Sequence, residues 1–306
     1  AAEGGRLGER GGGDLLGGRR DREPTRADPF QLGGEGERPA VGEGAFERGI
    51  AGEGRPKELA EGLGECAVAD RRWRGRDLPL DEGALGIGFG INYTPAAAPS
   101  EIEAMFRIAA ERKVPAFVHT RAFGIAAIRE AIDTAKKSGA ALHIVHVGSS
   151  AIGDMREVLK LIDASKAAGM DISTEVYPYT AASTVLESAM FNPGWQDNLK
   201  IDYGDLAWAA TGERLTQESF ERYRKQGGWV IIYMMKDANV EMAIAHPGVM
   251  IASDGVPFID GKGHPRGAGT FARVLGHYSR EKKLLPLMEA LAKMTILPAR
   301  RLEGYV

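Results

Sequence analysis

The chain has 306 residues, a formal net charge of -3 and a pI near 6.2. This length can bury the core of one large α/β domain or two smaller ones, and the charge does not indicate nucleic acid or an anionic membrane as a partner. The single cysteine, Cys66, excludes an intramolecular disulfide framework and fits a reducing, cytoplasmic compartment. No apolar run of about 18 residues occurs that could span a membrane.

Residues 1–82 form a low-complexity segment rich in Gly, Arg and Glu. Residues 1–85 hold 20 of the 41 glycines and 13 arginines, but no His, Asn, Met, Ser or Tyr. The segment is either a disordered extension, because this composition buries too little apolar surface, or an out-of-frame translation of a GC-rich coding sequence. The absence of Ser and Asn favours the second interpretation. Cys66 has no role, because its neighbours lack the spacing of a metal site.

Residues 83–306 have a different character and are predicted to form an α/β domain. The run GALGIGFGINYTP, which begins at Gly83, suits a barrel strand where backbones approach closely. The next helix is predicted to open at Ser100, which has the spacing of a capping box with Glu103, and to end at Lys113.

Two short apolar runs between Val114 and Ser150, VPAFVHTR and ALHIVHVGSS, each lead to a histidine, His119 and His146. Their lack of alternation is typical of strands buried on both faces of a parallel sheet. The segment between them predicts a helix, roughly 124–138, that Gly139 terminates. This is a βαβ unit with a histidine at the carboxyl end of each strand, where parallel α/β barrels carry out their chemistry.

The rest of the chain continues to alternate, which predicts a parallel sheet, either a barrel or a doubly wound fold. No Gly-rich phosphate fingerprint follows a strand, which argues against a dinucleotide-binding domain. Residues 184–228 interrupt the pattern, with a helix near 217–226, and are predicted to lie over the barrel mouth. The other predicted strands are 171–179, 229–235 and 249–255, and the other predicted helices begin near 151 or cover 238–245, 271–277, 287–294 and 298–302.

Three strand ends carry the candidate chemistry: those at His119 and His146, and the Ser-Asp-Gly turn that contains Asp254. A lone histidine at a strand end is more often structural than a ligand. Two imidazoles and a carboxylate at one barrel face, however, would form a Zn²⁺ site with an open position that activates water. Asp254 would pass the proton of that water to a leaving amine. His143 is predicted to be structural, because strand alternation turns it away from His146.

From about Gly83 to Leu302, the motifs VHTR, HIVHVGS, EVYPYTAAST, MIASDG, HPRGAGTFARVLGHYSRE and KMTILPARRL resemble the D-aminoacylase (N-acyl-D-amino-acid deacylase) family of the amidohydrolase superfamily. The resemblance implies a metal-bearing (β/α)₈ TIM-type barrel flanked by a small β-sandwich. It also implies hydrolysis of the amide bond of N-acyl-D-amino acids. The fold expected here is a partial barrel that lacks the first strands and the sandwich.

The resemblance also assigns roles by motif. His119, His146 and Asp254 match the metal ligands, and Asp254 matches the catalytic aspartate. Arg266 matches the residue that holds the substrate's α-carboxylate, a task that suits the arginine fork. The remaining matches are carboxylate contacts by Tyr177 and Ser183, and an apolar pocket wall at Met235.

These assignments have plainer alternatives: Arg266 as a solvated loop charge, Tyr177 as the edge of the core and Met235 as simple packing. The family also has a His-x-His pair and a metal-binding cysteine, which would precede Gly83 and are not found there. Gly148 stands where the family has a basic residue. The rival functions are a cyclic-amide hydrolase, which would use a bridging lysine, and a non-catalytic fragment. The expected partner is a small N-acyl amino acid, with Zn²⁺ as cofactor, and neither nucleic acid nor membrane.

Overall fold

A computed structural model of the chain describes residues 84–259 and 261–305. These residues belong to one compact unit. The predictions for residues 1–82, including the domain boundary and Cys66, lie outside the described residues.

Five parallel strands form the main sheet, in which neighbours in this order pair with each other: β1 (Ile87–Gly90), β2 (Ala116–His119), β3 (Leu142–Ile144), β4 (Ile172–Val176) and β8 (Val249–Ile251). The parallel βαβ unit predicted around His119 and His146 is confirmed, since β2 and β3 pair in parallel with the connecting helix between them. The sheet is open within the described residues, with β1 and β8 as its edges.

The helices follow the strands, as expected for an α/β fold, and none of those described is long and apolar enough to cross a membrane. The helices up to residue 245 are α1 (Pro99–Glu111), α2 (Ile125–Ser138), α3 (Val147–Ala151), α4 (Met155–Ala167), α5 (Trp195–Leu199), α6 (Gln217–Gln226) and α7 (Asp237–Ala245). After β8 come α8 (Arg266–Arg273), a π-helix (Val274–Glu281), α9 (Leu287–Met294) and α10 (Ile296–Glu303).

A second sheet corrects one prediction. The run at 229–235 was expected to continue the parallel alternation, but Trp229–Tyr233 forms β7, the central strand of an antiparallel sheet. It pairs with β5 (Ala181–Val185) on one side and β6 (Leu206–Trp208) on the other. The prediction was wrong because an apolar run reports burial and not the direction of its neighbours. Ser183, which matches a substrate-carboxylate contact of the family, therefore lies in the strand β5.

The start of α1 also differs from the prediction. The helix begins at Pro99, and the side chain of Glu101, rather than that of Glu103, accepts a hydrogen bond from the backbone N–H of Ala98 at 2.7 Å. Proline has no N–H to leave unpaired at the first helical position, and this favours the earlier start. Glu103 instead forms ion pairs with Arg107 and Lys137.

The core lies between the main sheet and helices α1, α2 and α4. Phe106 of α1 is fully buried, and its ring centroid lies 4.7 Å from that of Phe89 in β1. Ile128 of α2 and Val158 of α4 are fully buried too. These close-packed helix side chains cover one face of the sheet, so the strands whose ends carry the histidines are rigidly supported.

We expect Phe106→Ala to lower the free energy of unfolding by about 3–5 kcal/mol, because it leaves a cavity against Phe89. The control is Phe271→Ala on α8, where the native ring is 47% exposed and the loss should stay near 0.5 kcal/mol. Urea unfolding followed by circular dichroism measures both. Equal losses for the two variants would contradict this description of the core.

Candidate functional site

The two predicted histidines lie next to each other. The ring nitrogens His119 Nδ1 and His146 Nε2 are 3.0 Å apart, and the ring centroids are 4.6 Å apart. The parallel pairing of β2 with β3 places both residues at the same edge of the sheet. The pairing expected from the sequence motif is therefore present in the structure.

The environment of His119 favours a neutral ring. Burial in the surrounding protein lowers the pKa of His119 well below its ordinary value of 6.5, and the charges of His146 and Arg266 act in the same direction. A neutral imidazole is the form that binds a metal ion. The Nδ1 atom of His146 lies close to two hydroxyls, Ser149 Oγ at 3.0 Å and Ser150 Oγ at 3.2 Å.

Two residues that the sequence interpretation passed over connect the histidines to the antiparallel sheet. The Tyr93 ring centroid lies 5.0 Å from that of His119, and the Tyr93 hydroxyl is 3.1 Å from Thr184 Oγ1 on β5. Burial raises the pKa of Tyr93, so its hydroxyl stays protonated at neutral pH. The sequence signal was available, because Tyr93 ends the short 3-10 helix (Ile91–Tyr93) that follows β1.

Arg266 forms the opposite side of this cluster and is only 3% exposed, so its interpretation as a solvated loop charge was wrong. Its Nη1 lies 2.7 Å from Asp254 Oδ2, and its Nη2 donates to the Ser183 carbonyl at 2.9 Å. Its Nε is buried without a hydrogen-bond partner. A buried cation with a free donor is suited to a further anionic or carbonyl ligand.

Tyr177 and Ser183 also lie at this cluster, in different ways. Arg266 stacks over the Tyr177 ring, 4.8 Å from its centroid, and burial raises the pKa of Tyr177 to about 12. Ser183 offers Arg266 its carbonyl, while its hydroxyl donates to the backbone of Val230 at 2.9 Å. On β5, Thr184 is the residue whose hydroxyl faces the histidine side of the site.

Met235 lies against Gly148 of α3, two residues after His146. A Cβ atom on Gly148 would lie 3.4 Å from Met235 Sδ and 3.1 Å from Val176 Cγ2. Contacts this close favour glycine at position 148 and bring the apolar Met235 against α3. Met235 is buried, which agrees both with a pocket wall and with core packing.

The donor set fits half of a zinc site. His119 and His146 supply two adjacent imidazole nitrogens, and zinc prefers four ligands of this kind. Asp254 pairs instead with Arg266, and within residues 84–259 and 261–305 no three His, Cys, Asp or Glu side chains cluster as metal ligands. The metal-binding role of Asp254 therefore stays a prediction, and the structure places this carboxylate on the arginine side of the site.

His264 orients the arginine. Its Nε2–H donates to the Ala181 carbonyl at 2.9 Å, and its Nδ1 accepts from the backbone N–H of Arg266 at 3.1 Å. This arrangement requires the neutral ring. Burial, together with the nearby Arg266 charge, lowers the pKa of His264 from 6.5 to about 3.

The low pKa of His264 predicts a pH dependence of stability. Between about pH 3 and 6.5 the unfolded chain binds the proton that the folded chain excludes, so stability falls as the pH drops through this window. His264→Gln keeps a donor and an acceptor but cannot titrate. We expect the stability advantage of the native chain over this variant to shrink from pH 7 to pH 4, measured by urea unfolding. A difference that is constant with pH would contradict the assignment.

Curated relatives match about three quarters of the chain. The chain is 33% identical over 237 residues to an N-acyl-D-glutamate deacylase of Alcaligenes xylosoxydans xylosoxydans, covering 72% of this chain and 48% of the relative. It is 35% identical over 252 residues to a D-aminoacylase of the same organism, covering 74% and 50%. No family model matches the chain.

The fold matches solved structures over the same part of the chain. An N-acyl-D-glutamate deacylase from Bordetella bronchiseptica, solved with zinc and a phosphonate inhibitor that mimics the tetrahedral intermediate, aligns with a TM-score of 0.63. It is 29% identical, and the alignment covers 73% of this chain and 50% of that one. The chain thus spans about half the length of the relatives it matches, and over that half its resemblance to the D-aminoacylases of the amidohydrolase superfamily is confirmed.

Proposed function

We propose that this chain carries half of the catalytic site of a zinc-dependent N-acyl-D-amino-acid deacylase. The observation that supports this most directly is the cluster of an imidazole pair, His119 and His146, with an ion pair between the buried Arg266 and the exposed Asp254. Tyr93 and Thr184 connect the two parts. A metal-binding element and an anion-binding element so close together match the two ends of an N-acyl amino acid, its amide and its carboxylate.

On this proposal His119 and His146 would hold the zinc ion, with its other ligands supplied from outside the described residues or by water. A zinc ion supplies Lewis acidity, which polarises the amide carbonyl and makes water a nucleophile at neutral pH. Zinc in the Bordetella bronchiseptica relative supports the choice of metal.

The chain's own residues would bind the substrate and carry its proton. Arg266 binds the α-carboxylate through its buried fork, with its free Nε available for a second contact. Tyr177, protonated because its pKa is raised to about 12, can donate its hydroxyl to the same carboxylate. Asp254, released from Arg266 when the substrate carboxylate arrives, takes the proton of the attacking water and gives it to the leaving nitrogen.

The side chain of the substrate is expected to contact Met235, which lies against Gly148. Gly148 offers no charge, and a larger residue there would meet Val176. This arrangement favours an apolar side chain over an acidic one. The same assay that detects hydrolysis can compare N-acetyl-D-leucine with N-acetyl-D-glutamate.

The first test is the metal. We expect the purified full chain to take up zinc, and His119→Asn or His146→Asn to lose it, because each removes one of two paired ligands. His277→Asn is the matched control, since this histidine contacts Glu281 on the π-helix, away from the pair. Elemental analysis after dialysis measures zinc per chain. A native chain without zinc and without hydrolysis of N-acetyl-D-amino acids would reject the enzyme and favour the non-catalytic alternative.

The second test is the carboxylate site. Arg266→Lys removes the bidentate fork, so we expect KM for an N-acetyl-D-amino acid to rise about 10- to 100-fold, with a smaller change in kcat. The substrate's carboxamide analogue should show almost no difference between native chain and variant. Arg280→Lys, on a side chain that is 78% exposed, is the control. Equal effects on the acid and the carboxamide would place Arg266 outside the substrate site.

A further inference from the structure

A buried carboxylate lies directly behind the histidine pair and has no part in the chemistry proposed above. Glu175, near the end of β4, is 8% exposed. Its Oε1 accepts a hydrogen bond from the backbone N–H of His146 at 2.6 Å. An N–H bond to a carboxylate is charge-assisted and stronger than a neutral bond.

This bond reaches His146 at a point of backbone strain. His146 has φ 36° and ψ 58°, the left-handed conformation, two residues after the end of β3 and at the N-cap position of α3. For a residue other than glycine this conformation is strained. The left-handed turn points the His146 ring toward His119, so the contact between the two ring nitrogens depends on this backbone conformation.

Glu175 is itself held in place by His143. The Nε2–H of His143 donates to Glu175 Oε2, and Nδ1 lies 2.8 Å from the hydroxyl of Ser173. The register of β3 and β4 pairs His143 with Ser173, so both side chains leave the same face of the sheet. Since His143 is only 6% exposed, this chain of contacts is sequestered from water.

We propose that Glu175 and His143 are positioning residues that hold His146 in its left-handed conformation and so preform the imidazole pair for metal binding. The metal-binding part of this inference rests on the proposed function, whereas the conformational part does not. Second-layer residues that fix the ligands of a metal site commonly change metal affinity about 10- to 100-fold when mutated.

The experiment uses the full chain and three variants. Glu175→Ala removes the acceptor, and Glu175→Gln keeps an amide oxygen that can accept from His146 N–H. Thr174→Val is the matched control, because Thr174 on the same strand is buried and donates to the Ile144 carbonyl instead. Hydrogen exchange of the segment 142–150 is measured on the metal-free chain, and zinc affinity is measured by competition with a chromophoric chelator.

We expect Glu175→Ala to speed exchange of the His146 amide at least tenfold and to weaken zinc binding about 10- to 100-fold. Glu175→Gln should keep the exchange rate of the His146 amide and the zinc affinity close to those of the native chain. Thr174→Val should change neither the exchange rate nor the zinc affinity. Unchanged exchange at His146 in Glu175→Ala would overturn the inference. So would equal effects of Glu175→Ala and Thr174→Val, which would reflect a general loss of stability.

Two further results remain decisive. If Glu175→Ala fails to fold, the comparison passes to His143→Gln, where faster exchange at His146 supports the inference and native exchange overturns it. If the native chain binds no zinc, the proposed function fails, while the exchange data on the metal-free variants still support or overturn the positioning of His146.

Discussion

The buried charge of Arg266 is the constraint on which this site depends. A guanidinium removed from water is tolerated only where anions, carbonyls and aromatic faces surround it. Here the Asp254 carboxylate, the Ser183 carbonyl and the Tyr177 ring meet this need. They come from the turn after β8, from β5 and from the end of β4, so one charge draws the two sheets and α8 together. The same charge helps to keep His264 neutral, and the neutral ring in turn binds the Arg266 backbone.

The histidine side of the site is built on a different principle. The parallel pairing of β2 and β3 brings His119 and His146 to the same edge of the sheet. The left-handed backbone of His146 then turns its ring toward His119. Strain of this kind persists only where surrounding contacts determine the conformation. The buried Glu175 supplies such a contact. The histidine side therefore depends on a backbone hydrogen bond, and the arginine side depends on charge compensation.

Much of the fold could be predicted from the chain. The helix expected at 124–138 is Ile125–Ser138, and those expected at 217–226 and 287–294 have the predicted bounds. Residue periodicity and stop signals such as Gly139 are local, so the sequence reveals them directly. The antiparallel pairing of β7 and the shift in the start of α1 were missed. The first depends on partners distant in sequence, and the second on competition between two neighbouring glutamates.

The sequence by itself determined which residue types stand at the strand ends: a histidine at 119, a histidine at 146 and an aspartate at 254. Their order and motifs were enough to indicate the D-aminoacylase relatives, because motif identity is carried by residue type and spacing. Only the tertiary structure decided that Asp254 pairs with Arg266 and not with the histidines, and that Tyr93 and Thr184 join the site. The physical reason is that contacts between distant segments depend on strand register and buried-charge compensation, and a linear pattern encodes neither. The imidazole pair depends on the sequence and on the tertiary structure together. The sequence places one histidine at the end of each strand, and the strand register brings His119 Nδ1 to 3.0 Å from His146 Nε2.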